Sequence, residues 1–120
     1  MYAVIRNELH MSPGKAASQA GHAFKLLTKN CILHNPKLAD EYFSDGGIGT
    51  NVCLSSHSLE QMLQAHELCK EANIPSFLVV DEGHVMLPHF DGSPIITALG
   101  IGPIDRASVK HITKKFKLYN

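Results

Sequence analysis

Short apolar runs alternate with longer helix-patterned segments along the chain, and this alternation restricts the fold more than any other feature. The four predicted strands span residues 2–6, 51–55, 77–80 and 95–101. Chains that alternate in this way form mainly parallel sheets whose right-handed crossovers place helices on both faces. The last run follows a turn-rich excursion from residue 84 to residue 93, which favours an antiparallel return. We predict one α/β domain over residues 1–120, a three-layer α/β/α arrangement with a four-stranded mixed sheet and an antiparallel last strand.

The helix boundaries follow from capping residues. Ser12 can cap a helix that starts at Pro13, and Asn35 and Asp105 can cap two further helices. Ser58 stands three residues before a glutamine, which is the spacing of a capping box. The predicted helices span residues 13 to 28 or 29, 36–43, 59–72 and 106–111, with a break at residues 45–47.

The opening helix carries two distinct faces. Helical periodicity predicts an apolar stripe, while a second face carries Lys15, Gln19 and His22 and remains available. The stripe consists of Ala16, Ala17, Ala20, Ala23, Phe24 and Leu27. A lysine in the first turn opposes the helix dipole, and the free amides there already attract anions. The pattern favours a phosphate or carboxylate site, although a solvated polar face is the simpler alternative.

Composition excludes several classes of protein. The 11 basic and 11 acidic residues cancel, so average charge gives no support to nucleic-acid binding. The three cysteines form no framework or zinc spacing, which predicts reduced, buried thiols and no cysteine nucleophile. The eight histidines lack a metal-ligand spacing, so we expect no metal. No run approaches membrane-spanning length, and a cytoplasmic location without membrane partners is expected.

Motifs distributed over the whole chain carry a resemblance to a known family. They are Gly14-Lys15, Ala17, Gln19, His22-Ala23, Asn35-Pro36-Lys37-Leu38, Asp81-x-Gly83-His84 and Ile101-Gly102-Pro103. In this order they resemble the type II peptidyl-tRNA hydrolases of archaea and eukaryotes, which cleave peptide from tRNA. The resemblance implies a four-stranded mixed sheet between helices, a homodimer, and no metal or organic cofactor. It also implies a hydrolytic site made of Lys15, Gln19, His22, Asp81 and Thr97.

The resemblance predicts hydrolysis of the ester bond of peptidyl-tRNA, which needs a positioned water and a stabilised oxyanion. Lys15 can supply positive charge, and Asp81, at the end of a strand, can hold or deprotonate water or fix Lys15 by pairing. Gln19 can orient water or substrate. His22 can pair with Asp81 or with phosphate, although a structural role is its simpler interpretation.

Two departures from the family pattern keep other functions open. Pro13 stands where the family often has a second lysine, and Val85 stands where it has a threonine. The alternatives are a non-hydrolytic binding protein on the same fold and a small amide or ester hydrolase that does not act on tRNA. An apolar sheet face left uncovered would suit the homodimer.

Zero net charge can still conceal a basic surface. The candidate tRNA-binding residues occur on the opening helix and in the C-terminal segment, and simple solvation is their alternative. They are Lys25, Lys29, Arg106, Lys110, Lys114, Lys115 and Lys117.

Overall fold

Strands and helices alternate in the computed structural model, which describes residues 1–44 and 47–120. The strands are β1 (Tyr2–Arg6), β2 (Val52–Ser56), β3 (Ser76–Asp81), β4 (Val85–Met86), β5 (Phe90–Asp91), β6 (Ile95–Ile101) and β7 (Lys117–Leu118). The helices are α1 (Pro13–His34), α2 (Pro36–Tyr42), α3 (Leu59–Glu71) and α4 (Arg106–Thr113), with a 3-10 turn at Asn7–Leu9. The predicted break at residues 45–47 lies mostly outside the described residues.

The main sheet is mixed, in the order β3-β6-β1-β2-β7. β1 and β2 are parallel neighbours, whereas β6 runs antiparallel to both β1 and β3, and β7 runs antiparallel to β2. The prediction of an antiparallel last apolar strand is confirmed. The prediction of a mainly parallel sheet is wrong, because β6 is inserted between two strands that share a direction.

The strand count also differs from the predicted four. β7 adds a fifth strand from residues predicted as a basic tail, and β4 and β5 form a separate two-stranded hairpin. Each of these three strands has two residues, which is too short to show the alternation that marks a strand in a sequence.

Helices cover both faces of the sheet, as predicted. One apolar cluster packs α3 and α4 against the face that carries Val4 and Leu99. The other packs the small residues of α1 against the opposite face, which carries Ala3 and Ala98. Neighbouring residues therefore point to opposite faces, as strand geometry requires. Among the described residues each face has its own helical layer, so the uncovered sheet face that would suit a homodimer is absent.

α1 approaches the sheet closely at Gly100 on β6. A Cβ atom at this position would lie 3.1 Å from the Ala23 carbonyl oxygen and from the Leu27 side chain. The missing side chain of Gly100 and the small residues of α1 thus bring helix and sheet together.

α1 extends beyond its predicted end at residue 28 or 29. It continues to His34 and ends where Asn35 precedes Pro36, a residue pair that disfavours further helix. Asn35 then caps α2, because its side chain accepts a hydrogen bond from the Leu38 N–H. None of the helices in residues 1–44 and 47–120 is long and apolar enough to cross a bilayer.

Candidate active site

The start of α1 places a lysine beside the end of β3. The Ser12 hydroxyl accepts a hydrogen bond from the Lys15 N–H at 3.2 Å, and Pro13 occupies the first helical turn, as predicted. This cap fixes the first turn of the helix. The Lys15 side chain consequently projects toward the carboxyl end of β3, where Asp81 lies.

Lys15 and Asp81 form an ion pair that is mostly shielded from solvent. Lys15 Nζ lies 3.0 Å from Asp81 Oδ2, and the two side chains are 11% and 19% exposed. The same ammonium lies 4.3 Å from the centroid of the Phe90 ring, within the range of a cation–π contact. Lys15 is thus held from two sides, by a carboxylate and by an aromatic face.

Gln19 is buried, which corrects the prediction that its face of α1 is available. It is 3% exposed, and its Oε1 accepts a hydrogen bond of 2.6 Å from the hydroxyl of Thr97, which is fully buried. A buried amide needs partners for its polar atoms, and Thr97 supplies one from β6. Because Oε1 is the acceptor here, the amide nitrogen of Gln19 keeps its two N–H donors for other partners.

The predicted stripe of α1 is confirmed at four of its positions. Ala16, Ala20, Ala23 and Leu27 are buried, and Phe24 is half-buried. Ala17 is exposed and does not belong to the stripe. The buried face of the helix is displaced toward Gln19, so this polar residue takes a place in the packed interior.

His22 is exposed one turn beyond Gln19. Among the residues that the structure describes, Asp81 forms its ion pair with Lys15, and a His22–Asp81 pair is absent. The sequence-based option of pairing His22 with Asp81 is therefore wrong. His22 instead lies at the border between two depressions of the surface.

The first depression is a cleft of about 360 Å³ around the ion pair. Its lining combines α1, the end of β3 and the β4–β5 hairpin. The lining residues are Ser12, Lys15, Ser18, Gln19, His22, Asp81, His84 and Met86. Thr97 lies behind Gln19 and is absent from this lining, so it reaches the cleft through Gln19.

Several lining residues were not predicted as members of the site. Ser12 was predicted only as a helix cap, and Ser18, one turn after Lys15, had a helical spacing that could have indicated it. His84 belongs to the Asp81-x-Gly83-His84 motif, but it had no assigned role. Met86 lies in a short strand without a usable pattern. Val85, at a departure from the family pattern, is 67% exposed and does not line the cleft.

The second depression is a groove of about 400 Å³ that continues from the cleft along α1. It shares His22 and Asp81 with the cleft and brings Lys25 and Lys29 beside them. Two of the predicted tRNA-binding cations therefore border the candidate site, and both are exposed.

The other predicted cations lie elsewhere. α4, which carries Arg106 and Lys110, packs on the opposite face of the sheet from α1. Together with Lys114, these cations line a separate cavity of about 700 Å³. Lys115 and Lys117 are exposed in the segment that follows α4. The predicted basic set is thus divided between the two sides of the molecule.

The thiols are structural in character. Cys31 and Cys69 are buried, Cys53 is half-buried, and all three are free. Burial raises the pKa of the Cys69 thiol to about 11 and also raises the pKa of Cys31 and Cys53. A raised pKa disfavours the reactive thiolate, so none of these groups has the properties of a nucleophile.

The histidine and carboxylate groups offer no metal centre within the described ranges. No group of three or more His, Cys, Asp or Glu side chains there has the geometry to hold an ion. His66 contacts Ser76, with 2.8 Å between Nδ1 and Oγ, and neither residue lines the cleft.

The cleft can support addition of water to a carbonyl carbon. It combines a fixed cation, a carboxylate within hydrogen-bonding distance of it, and an amide whose N–H donors have no partner among the residues that the structure describes. These groups provide a proton acceptor for water and positive charge for a developing oxyanion.

Comparison with known proteins identifies related sequences over nearly the full chain. The family whose sequence model matches is described as Peptidyl-tRNA hydrolase PTH2, and the match covers residues 1–119. The peptidyl-tRNA hydrolase of Methanothermobacter thermautotrophicus is 34% identical over 119 residues, which are 96% of this chain and 95% of that protein. The peptidyl-tRNA hydrolase of Pyrobaculum aerophilum is 33% identical, and the alignment covers 99% and 96% of the two chains.

Two further proteins are similar to this chain, one with lower coverage of its own length and one with lower sequence identity. The probable peptidyl-tRNA hydrolase 2 of Dictyostelium discoideum is 30% identical over 97% of this chain, but this chain spans only 52% of that protein. A solved structure of a protein of unknown function from Agrobacterium tumefaciens superposes with a TM-score of 0.60. The match covers 99% and 96% of the two chains at 16% identity, so it supports the fold alone.

Proposed function

Because the chain belongs to the peptidyl-tRNA hydrolase PTH2 family, we propose that it hydrolyses the ester bond of peptidyl-tRNA and releases peptide and free tRNA. The observation that carries the proposal is the shielded Lys15–Asp81 ion pair in the wall of the cleft. The cytoplasm is the proposed location because translation, which makes this substrate, takes place there. We propose that residues 1–120 act as one domain.

The proposed reaction uses the groups of the cleft without a cofactor. Asp81 accepts a proton from water as the water oxygen bonds to the ester carbonyl carbon, and the Lys15 ammonium stabilises the resulting oxyanion. The bond to the ribose oxygen then breaks, and the proton held by Asp81 passes to that oxygen. The products are a peptide carboxylic acid, which ionises, and the free ribose hydroxyl.

Gln19 and Thr97 have supporting roles in this proposal. The Gln19 amide donates hydrogen bonds to water or to the substrate carbonyl, and Thr97 keeps the amide in the required orientation through the 2.6 Å hydrogen bond. Thr97 is therefore proposed as a positioning residue. His22, exposed beside the cleft, is proposed to contact a phosphate near the ester.

The tRNA backbone is proposed to follow the groove beside the cleft. Lys25 and Lys29 line this groove, and Asp81 belongs to both depressions. Phosphates bound there would hold the 3′ end of the tRNA near the ion pair. A second, separate contact with tRNA is proposed for the cations of α4 and of the segment after it. They are Arg106, Lys110, Lys114, Lys115 and Lys117.

The direct test is hydrolysis of purified N-acetylaminoacyl-tRNA, in which an acetylated amino acid takes the place of the peptide. The native chain should release the acetylated amino acid with multiple turnovers, and free tRNA should accumulate in equal amount. Binding of tRNA without hydrolysis would instead support the non-hydrolytic alternative. Turnover of simple esters, with none on tRNA substrates, would support the small-molecule hydrolase.

A homodimer is also proposed, with the C-terminal part of α1 at the interface. Ile32 and Leu33 are 54% and 64% exposed there, which is unusual for adjacent apolar side chains on a helix. Light scattering should give a dimer mass at micromolar concentration, and Ile32→Ser/Leu33→Ser should shift it to the monomer. A monomer mass that is independent of concentration across this range would exclude the dimer.

A further inference from the structure

The separate cavity of about 700 Å³ lies on the α4 side of the sheet. Its volume is in the range of small-ligand sites. Its polar wall contains Arg106, Lys110 and Lys114. These residues are spaced by four along the sequence, so they follow one another on one face of the helix. The described residues that line the cavity include no carboxylate.

Within residues 1–44 and 47–120, the three cations have no acidic partner in an ion pair. The ion pairs found in the described part of the chain are Arg6–Glu8, Lys15–Asp81 and Lys70–Glu67, and none of them involves α4. Asp105 is adjacent in sequence, but its carboxylate oxygens accept hydrogen bonds from the backbone N–H and the hydroxyl of Ser108. The local positive charge of the cavity is therefore uncompensated within the described chain.

Helix stability does not explain this arrangement. Like charges four residues apart on a helix repel each other, and a cation at a helix N-terminus opposes the dipole. Lys110 and Lys114, near the C-terminal end, are favoured by the dipole, whereas Arg106 is the first residue of α4. A bound anion would offset both the repulsion between the three cations and the unfavourable position of Arg106 at the N-terminus of the helix.

The remaining walls are apolar and partly aromatic. Tyr2 and Phe116 contribute rings, Val52 and Leu54 contribute aliphatic side chains, and Leu118 remains 71% exposed at the edge. Aromatic faces stack on nucleic-acid bases with little dependence on sequence. Arginine binds phosphate through two parallel hydrogen bonds, and a phosphate monoester carries nearly two negative charges at neutral pH. Three cations suit such a dianion, or the two singly charged phosphodiesters that flank one nucleotide of tRNA, better than they suit a single carboxylate.

We propose that this cavity binds one nucleotide unit, with its phosphate on Arg106, Lys110 and Lys114 and its base against the half-buried ring of Tyr2. The unit is either a free nucleotide or an unpaired nucleotide of tRNA. The cavity is separate from the cleft, because the cleft lies at the carboxyl end of β3 beside α1 and the cavity lies beside α4 and the start of β1 and β2. Only the tRNA source rests on the proposed function.

Calorimetric titration of the full chain with AMP, adenosine and inorganic phosphate tests the site. AMP should bind at least about tenfold more tightly than either fragment, because both halves of the cavity are then occupied. Arg106→Gln/Lys110→Gln should weaken AMP binding at least about tenfold. The control Lys37→Gln/Lys70→Gln removes the same charge outside the cavity and should leave the affinity unchanged.

The source of the nucleotide follows from competition. Displacement of AMP by excess deacylated tRNA assigns the site to a tRNA nucleotide, and AMP binding that persists in the tRNA complex assigns it to a free nucleotide. Absence of saturable AMP binding at millimolar concentration, or equal AMP affinity in the Arg106→Gln/Lys110→Gln variant and the native chain, would overturn the proposal. Since AMP binding is measured without hydrolysis, a chain inactive on peptidyl-tRNA still provides a valid test.

Discussion

At the scale of single residues, Phe90 shows how the site depends on contacts between distant parts of the chain. The residue is 2% exposed, and its ring faces the Lys15 ammonium and packs edge-on with the ring of His84. Phe90 therefore anchors the β4–β5 hairpin beside the cleft. A single buried aromatic residue in a turn-rich segment gives no periodic signal, and the sequence did not indicate this role.

Thr97 provides the sharpest residue-level prediction. Thr97→Val should leave the buried Gln19 Oε1 without a donor and destabilise the fold by about 1–3 kcal/mol. It should also lower kcat about tenfold with little change in KM, because the amide loses its orientation while the substrate-binding surface remains. Thr97→Ser retains the hydroxyl and should restore both properties. Urea unfolding and steady-state hydrolysis provide the measurements.

The loss of stability and the loss of kcat in Thr97→Val can be measured separately, and only the loss of kcat indicates a positioning role. If Thr97→Val is destabilised but hydrolyses peptidyl-tRNA at the native rate below its unfolding transition, the Thr97–Gln19 bond is structural only.

At the scale of elements, α1 determines much of the site. Its first turn carries Lys15, its second contributes Gln19, and the following turns present His22, Lys25 and Lys29 to the groove. Capping chemistry and helical periodicity predicted the start of this helix and most of its buried stripe. The burial of Gln19 was not predictable, since it depends on a hydroxyl that β6 supplies from 78 residues away.

The basic face of α1 should control tRNA affinity. Lys25→Gln/Lys29→Gln should weaken tRNA binding and reduce the slope of log K against log salt by roughly one to two, because each phosphate contact releases about one counterion. The rate at saturating substrate should change little. The matched control Lys37→Gln/Lys70→Gln removes equal charge from α2 and α3 and should preserve the slope.

The C-terminal cations provide a comparison for this measurement. Replacing Lys114, Lys115 and Lys117 together by Ala tests the second proposed tRNA contact. A slope that changes only in this triple variant would move the binding surface from α1 to the α4 side.

The contact between α3 and β3 should make stability depend on pH. Burial, with a smaller effect of the Lys70 ammonium and an opposing effect of Glu67, lowers the pKa of His66 below its usual 6.5. The unfolded chain thus binds this proton more readily than the folded chain does. His66 should lower the free energy of unfolding as pH falls below about 6.5, until the folded pKa is passed.

His66→Gln isolates this contribution. Chemical unfolding between about pH 5 and pH 7.5, a range of about 2.5 units that includes the usual histidine pKa, should show a shallower loss of stability in the variant than in the native chain. Parallel stability profiles for the two chains would show that His66 does not contribute to the pH dependence.

At the scale of the whole molecule, the layered α/β architecture was predictable, and the strand neighbours were not. Apolar runs indicated the long strands, and β1 and β6 have the predicted bounds. The position of β6 between β1 and β3 depends on tertiary packing, in which Gly100 admits α1 at close range. The two-residue strands form because neighbouring strands provide partners, which a local pattern cannot reveal.

The overall distribution of charge was likewise beyond sequence analysis. The sequence shows the zero net charge and the basic residues. It does not show how these residues are divided between the two sides of the sheet, because this division depends on which helix covers which face. Lys25 and Lys29 border the cleft beside Asp81, whereas Arg106, Lys110 and Lys114 surround a different cavity. The same chain thus presents two separate basic surfaces.

Hydrolysis of peptidyl-tRNA is proposed to depend on Lys15 and Asp81 acting together. The matched control for this pair is the exposed Lys70–Glu67 pair on α3, which has a similar separation of 3.1 Å but lies outside the cleft. Lys70→Ala/Glu67→Ala should retain native turnover, with a stability change below about 1 kcal/mol because exposed pairs contribute little.

Single-turnover hydrolysis of N-acetylaminoacyl-tRNA at saturating enzyme is the most direct measurement. Lys15→Ala and Asp81→Ala should each reduce the rate constant by at least about 100-fold, and the double variant should lose little more, because groups that act as a unit are not additive. Circular dichroism should show that each variant is folded. Rate constants within about threefold of the native value in both folded single variants would contradict the account.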